Sequence, residues 1–262
     1  MNKNLIKKEY LKKIKQYENY NKKYFDENQP IISDSDYDNL KNEIIELEKK
    51  YQYLKNKNSP INKVGFKPSK NFKKANHKVP MLSLANAFSE EDLINFEKKI
   101  ENFLSKKNDF KIFYSAEPKI DGISASLTYE NGNFVRGLSR GDGKEGEDIT
   151  DNLNTIKDIP KKVLSKDFPE VIDIRGEVFI QNSDFEYLKD KFANPRNAAS
   201  GSLRQKNPED TKKIPLNFIA YTFGFENGLK VENQSNYLKK LEEWGFKINP
   251  LNKLISGVKN LM

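Results

Sequence analysis

The chain has 262 residues, of which 36% are hydrophobic and 32% charged, with a formal net charge of +8. That length supports one large domain or a large domain beside a small one, and 17 Phe and 12 Tyr supply enough core material to exclude wholesale disorder. Cysteine is absent, which excludes a disulfide framework and a thiolate metal site; no apolar run approaches the roughly 20 residues that span a bilayer and no secretory h-region follows Met1, so a cytoplasmic location without membrane contact is expected.

Residues 1–55 read as two helices. Leu5, Tyr10, Leu11, Ile14 and Tyr17 recur at three- and four-residue spacings as one apolar stripe. The chain breaks at Asn28-Gln29-Pro30, and Ser33-Asp34-Ser35-Asp36 offers N-caps for a second helix with the stripe Tyr37, Leu40, Ile44, Leu47, Tyr51 and Leu54. Tyr24, Asp34, Tyr37 and Asp38 cluster around that break. Residues 56–80 are rich in Lys, Asn and Pro, lack periodicity and read as a linker.

Ser89-Glu-Glu-Asp92 has the form of a capping box, before a helix with Leu93, Phe96, Ile100, Phe103 and Leu104 on one face. Strands are predicted over 111–116, 123–129, 134–139, 171–180 and 216–225, with Asn131-Gly132 as a tight hairpin turn. Helices are predicted over 183–192, 197–205 and 234–244. The resulting class is α+β: a small helical domain, 1–68, ahead of a mostly antiparallel domain, 69–262.

Four stretches carry polar, charged and glycine residues at strand ends, where a core needs none of them. In the first, Glu117, Lys119 and Asp121 alternate, so a continuing strand puts them on one face. A lysine there is a solvated side chain or, if burial and neighbouring cations favour the neutral amine, a nucleophile. Gly122 would let a ligand approach the backbone. The second stretch, Gly141-Asp-Gly143-Lys-Glu-Gly146, matches the dinucleotide pattern G-x-G-x-x-G, but a hairpin strand precedes it and no apolar helix follows. It reads as a glycine-rich loop that presents Arg140 to a ribose or phosphate. In the third, Glu177 sits in a β-branched run, either exposed at an edge or as a pocket carboxylate for sugar hydroxyls. The fourth is dense in small residues and holds Arg196 and Arg204, suited to phosphate or simply exposed on a short helix.

Taken in order, Glu117-Pro-Lys-Ile-Asp-Gly122, the run 139–150, Ile174-Arg-Gly-Glu-Val-Phe179 and the run 192–205 resemble the adenylation region of bacterial NAD-dependent DNA ligases. Residues 77–86 and the 34–38 cluster resemble further elements of that family, so the likeness runs from about residue 5 to the C-terminus. The resemblance implies a nucleotidyltransferase domain of the ATP-grasp-like ligase type. It also implies that Lys119 attacks NAD to form a ligase–AMP phosphoramidate and release nicotinamide mononucleotide (NMN), with Asp121 beside the lysine and ribose. Glu117 and the backbone at Ser83 and Leu84 would face adenine. Arg140 and Glu177 would bind the AMP ribose, and Arg196 and Arg204 phosphates. Tyr24, Asp34, Tyr37 and Asp38 would hold the NMN half. NAD and Mg²⁺ are the implied cofactors, nicked duplex DNA the implied partner, and a monomer the expected state; no metal-ligating side chains are assigned, and the family's zinc site lies outside this chain.

Two positions depart from the family pattern: Phe25 stands where His or Tyr is usual, and Ala85 where Asp is common. Family members also continue past the position of Met262 into a strand whose lysine contacts the AMP phosphate, and on to further domains. The adenylation domain is therefore expected to be incomplete and the chain alone unable to seal nicks. A non-catalytic remnant that binds NAD or AMP is the alternative. A basic nucleic-acid-binding protein, to which Glu117, Asp121 and Glu177 would be of no use, and an ATP-dependent nucleotidyltransferase, against which the 24–38 cluster argues, are the other readings weighed.

Overall fold

The computed structural model describes residues 3–21, 23, 32, 34–55, 59, 72–105 and 111–261. Two compact units are present, Met1–His77 with Arg140–Glu147, and Lys78–Ser139 with Asp148–Met262. The class is α+β with antiparallel pairing throughout, as expected.

In the first unit α1 (Lys3–Asn21) packs on α2 (Asp34–Lys50). The buried stripe of α1 is Ile6, Tyr10 and Tyr17 with Ile14 beside them, whereas Leu5 and Leu11 are exposed. At 3.6 residues per turn Leu5 and Leu11 point more than about 100° away from the stripe's centre, on opposite flanks. On α2 and the 3₁₀ turn Gln52–Leu54 the expected stripe holds: Ile44 and Leu54 are buried, and Tyr37, Leu40, Leu47 and Tyr51 pack around them. Of the cap candidates, Ser33 and the side chains of Asp34 and Ser35 lie outside what is described. Tyr10 donates to Glu48 Oε1 at 2.7 Å, and burial together with that carboxylate pushes its phenol up to about 12. Part of the expected linker is a strand: β1 (Lys74–Asn76) pairs with β5 (Glu145–Glu147). Three residues are too few for periodicity to reveal.

In the second unit α3 (Glu90–Phe103) begins with the expected capping box. Asp92 N–H donates to Ser89 Oγ, and the Asp92 carboxylate accepts from the Ser89 and Phe88 N–H groups. Its apolar face forms, but no residue of α3 is buried, and Phe96 and Phe103 are exposed. A short antiparallel pair joins β2 (Phe113–Ala116) to β8 (Lys253–Ser256).

The central sheet runs β4 (Asn133–Ser139), β3 (Ile123–Glu130), β6 (Val171–Phe179), β7 (Asn217–Asn227). Asn131 and Gly132, at φ 48° and 75°, close the β3–β4 hairpin as expected. Alternation divides the sheet into two faces. One carries Leu127, Tyr129, Ile172, Ile174, Val178, Phe218 and Ala220, all buried. Near it an aromatic group joins Tyr129 to Phe134, Phe168 and Phe246, and α8 (Gln234–Glu243) adds Tyr237 ahead of Trp244. The opposite face is polar. Ser124, Ser126 and Thr128 of β3 stand directly across from Glu177, Arg175 and Asp173 of β6.

Candidate active site

Glu177 forms the floor of the site. Its strand is flanked by β3 and β7, so it is no edge residue, and it is 8% exposed. Ser124 Oγ donates to its Oε2 at 2.9 Å. Burial pushes its carboxyl up to about 7, against the pull of Ser124, Arg196 and Lys119; the charge of Asp121 adds to the rise. Three charged side chains, Lys119, Asp121 and Arg196, thus act on Glu177 near the end of β6.

Above that floor Lys119 and Asp121 are exposed. Asp121 Oδ1 accepts from Arg196 Nη1 at 3.0 Å, with Arg196 the more buried partner. Arg196 comes from α6 (Pro195–Leu203), which starts two residues earlier than expected: Pro195 takes the first turn and Asn194 caps it by accepting from Asn197 N–H at 2.7 Å. No strand runs through Glu117, Lys119 and Asp121: β2 ends at Ala116 and β3 starts at Ile123, as predicted, with Pro118 between, so their alternation does not put them on one strand face. Gly122 is required by packing. A Cβ there would lie 2.3 Å from Val178 O and 2.9 Å from Glu177 Cγ, so glycine is what lets β3 enter against β6.

Glu117 is held from a different side. Its Oε1 accepts from Ser115 Oγ at 2.9 Å and from Gln234 Nε2 at 3.0 Å, and Gln234 Nε2 also donates to Tyr221 O at 2.6 Å. The segment leading to Ser83 and Leu84 is tied to the polar face by Arg175, which lies two residues before Glu177 and so points the same way. Its guanidinium donates to the carbonyls of Val79 and Pro80 and lies flat on Gly224, where a Cβ would come within 2.6 Å of it. Beyond this tie Met81 is buried, while Ser83 and Leu84 are exposed. Arg204 follows α6 and is half-buried.

Arg140 belongs to the first unit, in the glycine loop before β5. Its carbonyl accepts from Gly143 N–H at 3.0 Å, and Asp142 Oδ1 accepts from the N–H groups of Lys144 and Glu145. Gly141 and Gly143 have positive φ, and a strand follows, not a helix, so this is no dinucleotide-binding turn. Tyr37 stacks on Tyr17 with centroids 5.0 Å apart and donates to Asn21 Oδ1 at 2.6 Å. Asp34 and Asp38 lie on α2, but their side chains, like Tyr24 and Phe25, fall outside the described residues.

The sequence reading missed Ser124, Arg175, Gln234 and the anchoring of Glu117. Ser124 was detectable, since Ser124, Ser126 and Thr128 alternate with apolar residues along β3. Nothing local marks Gln234, which stands 117 positions from its partner.

An antiparallel α+β domain with lysine, arginine and carboxylates gathered where its central strands end has the donor set that nucleotidyl transfer needs, though the fold alone does not assign that chemistry. Residues 69–262 match the NAD-dependent DNA ligase adenylation domain and residues 3–65 the DNA ligase-like, N-terminal NAD+-binding domain, so the chain belongs to the NAD-dependent DNA ligase family. A DNA ligase of Pelagibacter ubique is 64% identical over 262 residues, all of this chain and 39% of that protein. One of Bradyrhizobium is 45% identical over 253 residues, 94% of this chain and 35% of its own length. One of Rickettsia massiliae is 46% identical over 246 residues, covering 91% and 35%. The chain therefore spans well under half the length of these curated relatives. Among the described residues no helix is long and apolar enough to cross a membrane.

Proposed function

We propose that the chain carries the first step of NAD-dependent DNA ligation, its own adenylation. Lys119 Nζ attacks the α-phosphorus of NAD. A P–N bond forms, the P–O bond to NMN breaks with its electron pair leaving on the NMN phosphate, and the amine's proton passes to solvent. In the whole enzyme the 5′-phosphate of a nick in duplex DNA then takes the AMP as the P–N bond to Lys119 breaks, and the 3′-hydroxyl attacks that 5′-phosphate and expels AMP. The observation that carries this reading is that Lys119, Asp121 and Arg196 all act on the buried Glu177, with Arg196 paired to Asp121 at 3.0 Å.

The donor set suits a nucleotide. Carboxylates accept from hydroxyl and amine donors, and guanidinium groups grip phosphate in a fork. In this reading Glu177 accepts from the AMP ribose, with Arg140 also at the sugar, and Asp121 orients the lysine. Glu117 meets the adenine amine, with the backbone at Ser83 and Leu84 along the base. Arg196 and Arg204 stabilise charge on the transferring phosphate. Residues 1–68 hold the NMN half through Tyr24, Asp34, Tyr37 and Asp38, and residues 69–262 hold the AMP half. Among the described residues no three His, Cys, Asp or Glu side chains converge on a metal position. Mg²⁺ would enter as a counter-ion of the pyrophosphate, and no step above is routed through it. A monomer in the cytoplasm completes the proposal.

Intact mass after incubation with NAD and Mg²⁺, with ATP in parallel, tests it. A gain of one AMP from NAD alone is expected. A gain from ATP alone would overturn the donor, and no gain beside measurable NAD binding would leave a binding module without chemistry.

A further inference from the structure

Gln234 is the first residue of α8, and the capping of that helix fixes where its side chain starts. Asn233 accepts from Asn236 N–H through its side chain at 2.9 Å. From there the Gln234 amide nitrogen reaches two acceptors: the carbonyl of Tyr221 in β7, at 2.6 Å, and Glu117 Oε1, one residue past the end of β2, at 3.0 Å. Tyr221 is the residue skipped in the β6–β7 register, where Thr222 pairs with Arg175 and Ala220 with Gly176. Such a bulge re-aims the groups around it. Because both contacts are acceptors, only the NH₂ end of the amide satisfies them, and the orientation of Gln234 is set.

The consequence falls on Glu117. Its Oε1 accepts twice, from Gln234 and from Ser115 Oγ, while Oε2 has no hydrogen-bond partner among the described residues. A carboxylate reads a guanine edge with both oxygens, one on N1–H and one on the 2-amino group. With one oxygen already occupied by two donors, Glu117 has a single acceptor to offer. That fits one exocyclic amine, as on a 6-aminopurine, and leaves a guanine edge with a donor unmatched in a half-buried site, which costs more than a bond never offered.

We propose that Gln234 is a specificity-determining positioning residue, which with Ser115 occupies one oxygen of Glu117 so that the site selects adenine over guanine nucleotides. This rests on the reading of Glu117 as the carboxylate that meets the base. It implies that base choice is set by a residue far from the lysine motif in sequence and outside the chemistry.

The test is a titration of the full chain with AMP and GMP, and in parallel labelling by NAD and by nicotinamide guanine dinucleotide. Gln234→Leu keeps the side chain's bulk and removes the donor. It is expected to lower the AMP-to-GMP affinity ratio about tenfold or more. Ser115→Ala, which removes the other donor to Oε1 at an independent position, is expected to shift the ratio in the same direction, and thermal melting reports whether each variant is folded. Wild-type chain that binds GMP as well as AMP would overturn the proposal, as would folded variants with an unchanged ratio. Labelling separates the two readings. Wild-type adenylation with a ratio blind to both variants sinks the role of Gln234 alone. No adenylation with a ratio that still depends on Gln234 sinks the catalytic reading and supports this one.

Discussion

Ser124 Oγ donates to Glu177 Oε2 at 2.9 Å, between two residues that face each other directly across the β3–β6 ladder. The contact satisfies one oxygen of a carboxyl that the sheet has taken almost wholly out of water. A serine dipole does not offset the cost of burying a full charge, and Arg196 and Lys119 act on Glu177 without closing on it. The result is a carboxyl poised to change its protonation near neutral pH, the condition under which a group can exchange a proton as a ligand's hydroxyl arrives.

That poise has a sign. Glu177 titrates at about 7 in the folded chain against its ordinary 4.5. The folded state then holds the proton more tightly than the unfolded one, so stability is greatest below the ordinary value and falls as pH rises towards 7. Glu177→Gln removes the titrating group and keeps the shape. Urea unfolding from pH 4 to pH 8 is expected to show the wild type losing on the order of 3 kcal/mol relative to the variant across that window. Parallel pH profiles for the two proteins would show that burial does not perturb this carboxyl.

Lys119→Ala is expected to abolish AMP transfer from NAD while changing unfolding free energy by no more than about 0.5 kcal/mol, because the side chain is exposed and fills no core volume. Intact mass and urea unfolding on one sample read both numbers. A labelled variant would move the nucleophile elsewhere.

Some of this was legible from residues alone. Asn131-Gly132 and the Ser89–Asp92 box are local devices, with geometry dictated by a few adjacent residues, and both form as read. The two faces of β3 were also legible in the alternation Ile-Ser-Ala-Ser-Leu-Thr-Tyr. Burial was not. The stripe of α3 has correct helical spacing, yet Phe103 is 88% exposed, because spacing reports a face and not what covers it. The break between the predicted strands holds, so no strand carries Glu117, Lys119 and Asp121 and their alternation does not place them. Those side chains are placed instead by non-local partners: Gln234 for Glu117 and Arg196 for Asp121.

Gly122→Ala tests how the floor is built. The added methyl would lie 2.3 Å from the carbonyl oxygen of Val178, a backbone atom locked in the centre of the sheet. It cannot be accommodated by a rotamer change. The start of β3 must move away from β6, taking Ser124 from Glu177 with it. A loss of about 3 kcal/mol in urea unfolding is expected, with adenylation falling in step. Full stability in this variant would mean that the β3–β6 entry is looser than the register indicates.

Arg196 separates electrostatics from phosphate recognition. Its charge is one of those that hold the Glu177 carboxyl down against burial, and its Nη1 engages Asp121. Arg196→Ala removes both, so the Glu177 titration is expected to move above about 7 and the decline of stability to extend to higher pH. If the arginine also binds the transferring phosphate, the rate of AMP transfer falls about a hundredfold. Arg196→Lys restores the positive charge but not the forked pair of donors, so it should return the pH window while leaving the rate depressed. A lysine variant with full rate would assign Arg196 a purely electrostatic part. An alanine variant with full rate and a shifted window would remove it from the phosphate site altogether and leave it as the partner that sets Asp121 and Glu177 in place.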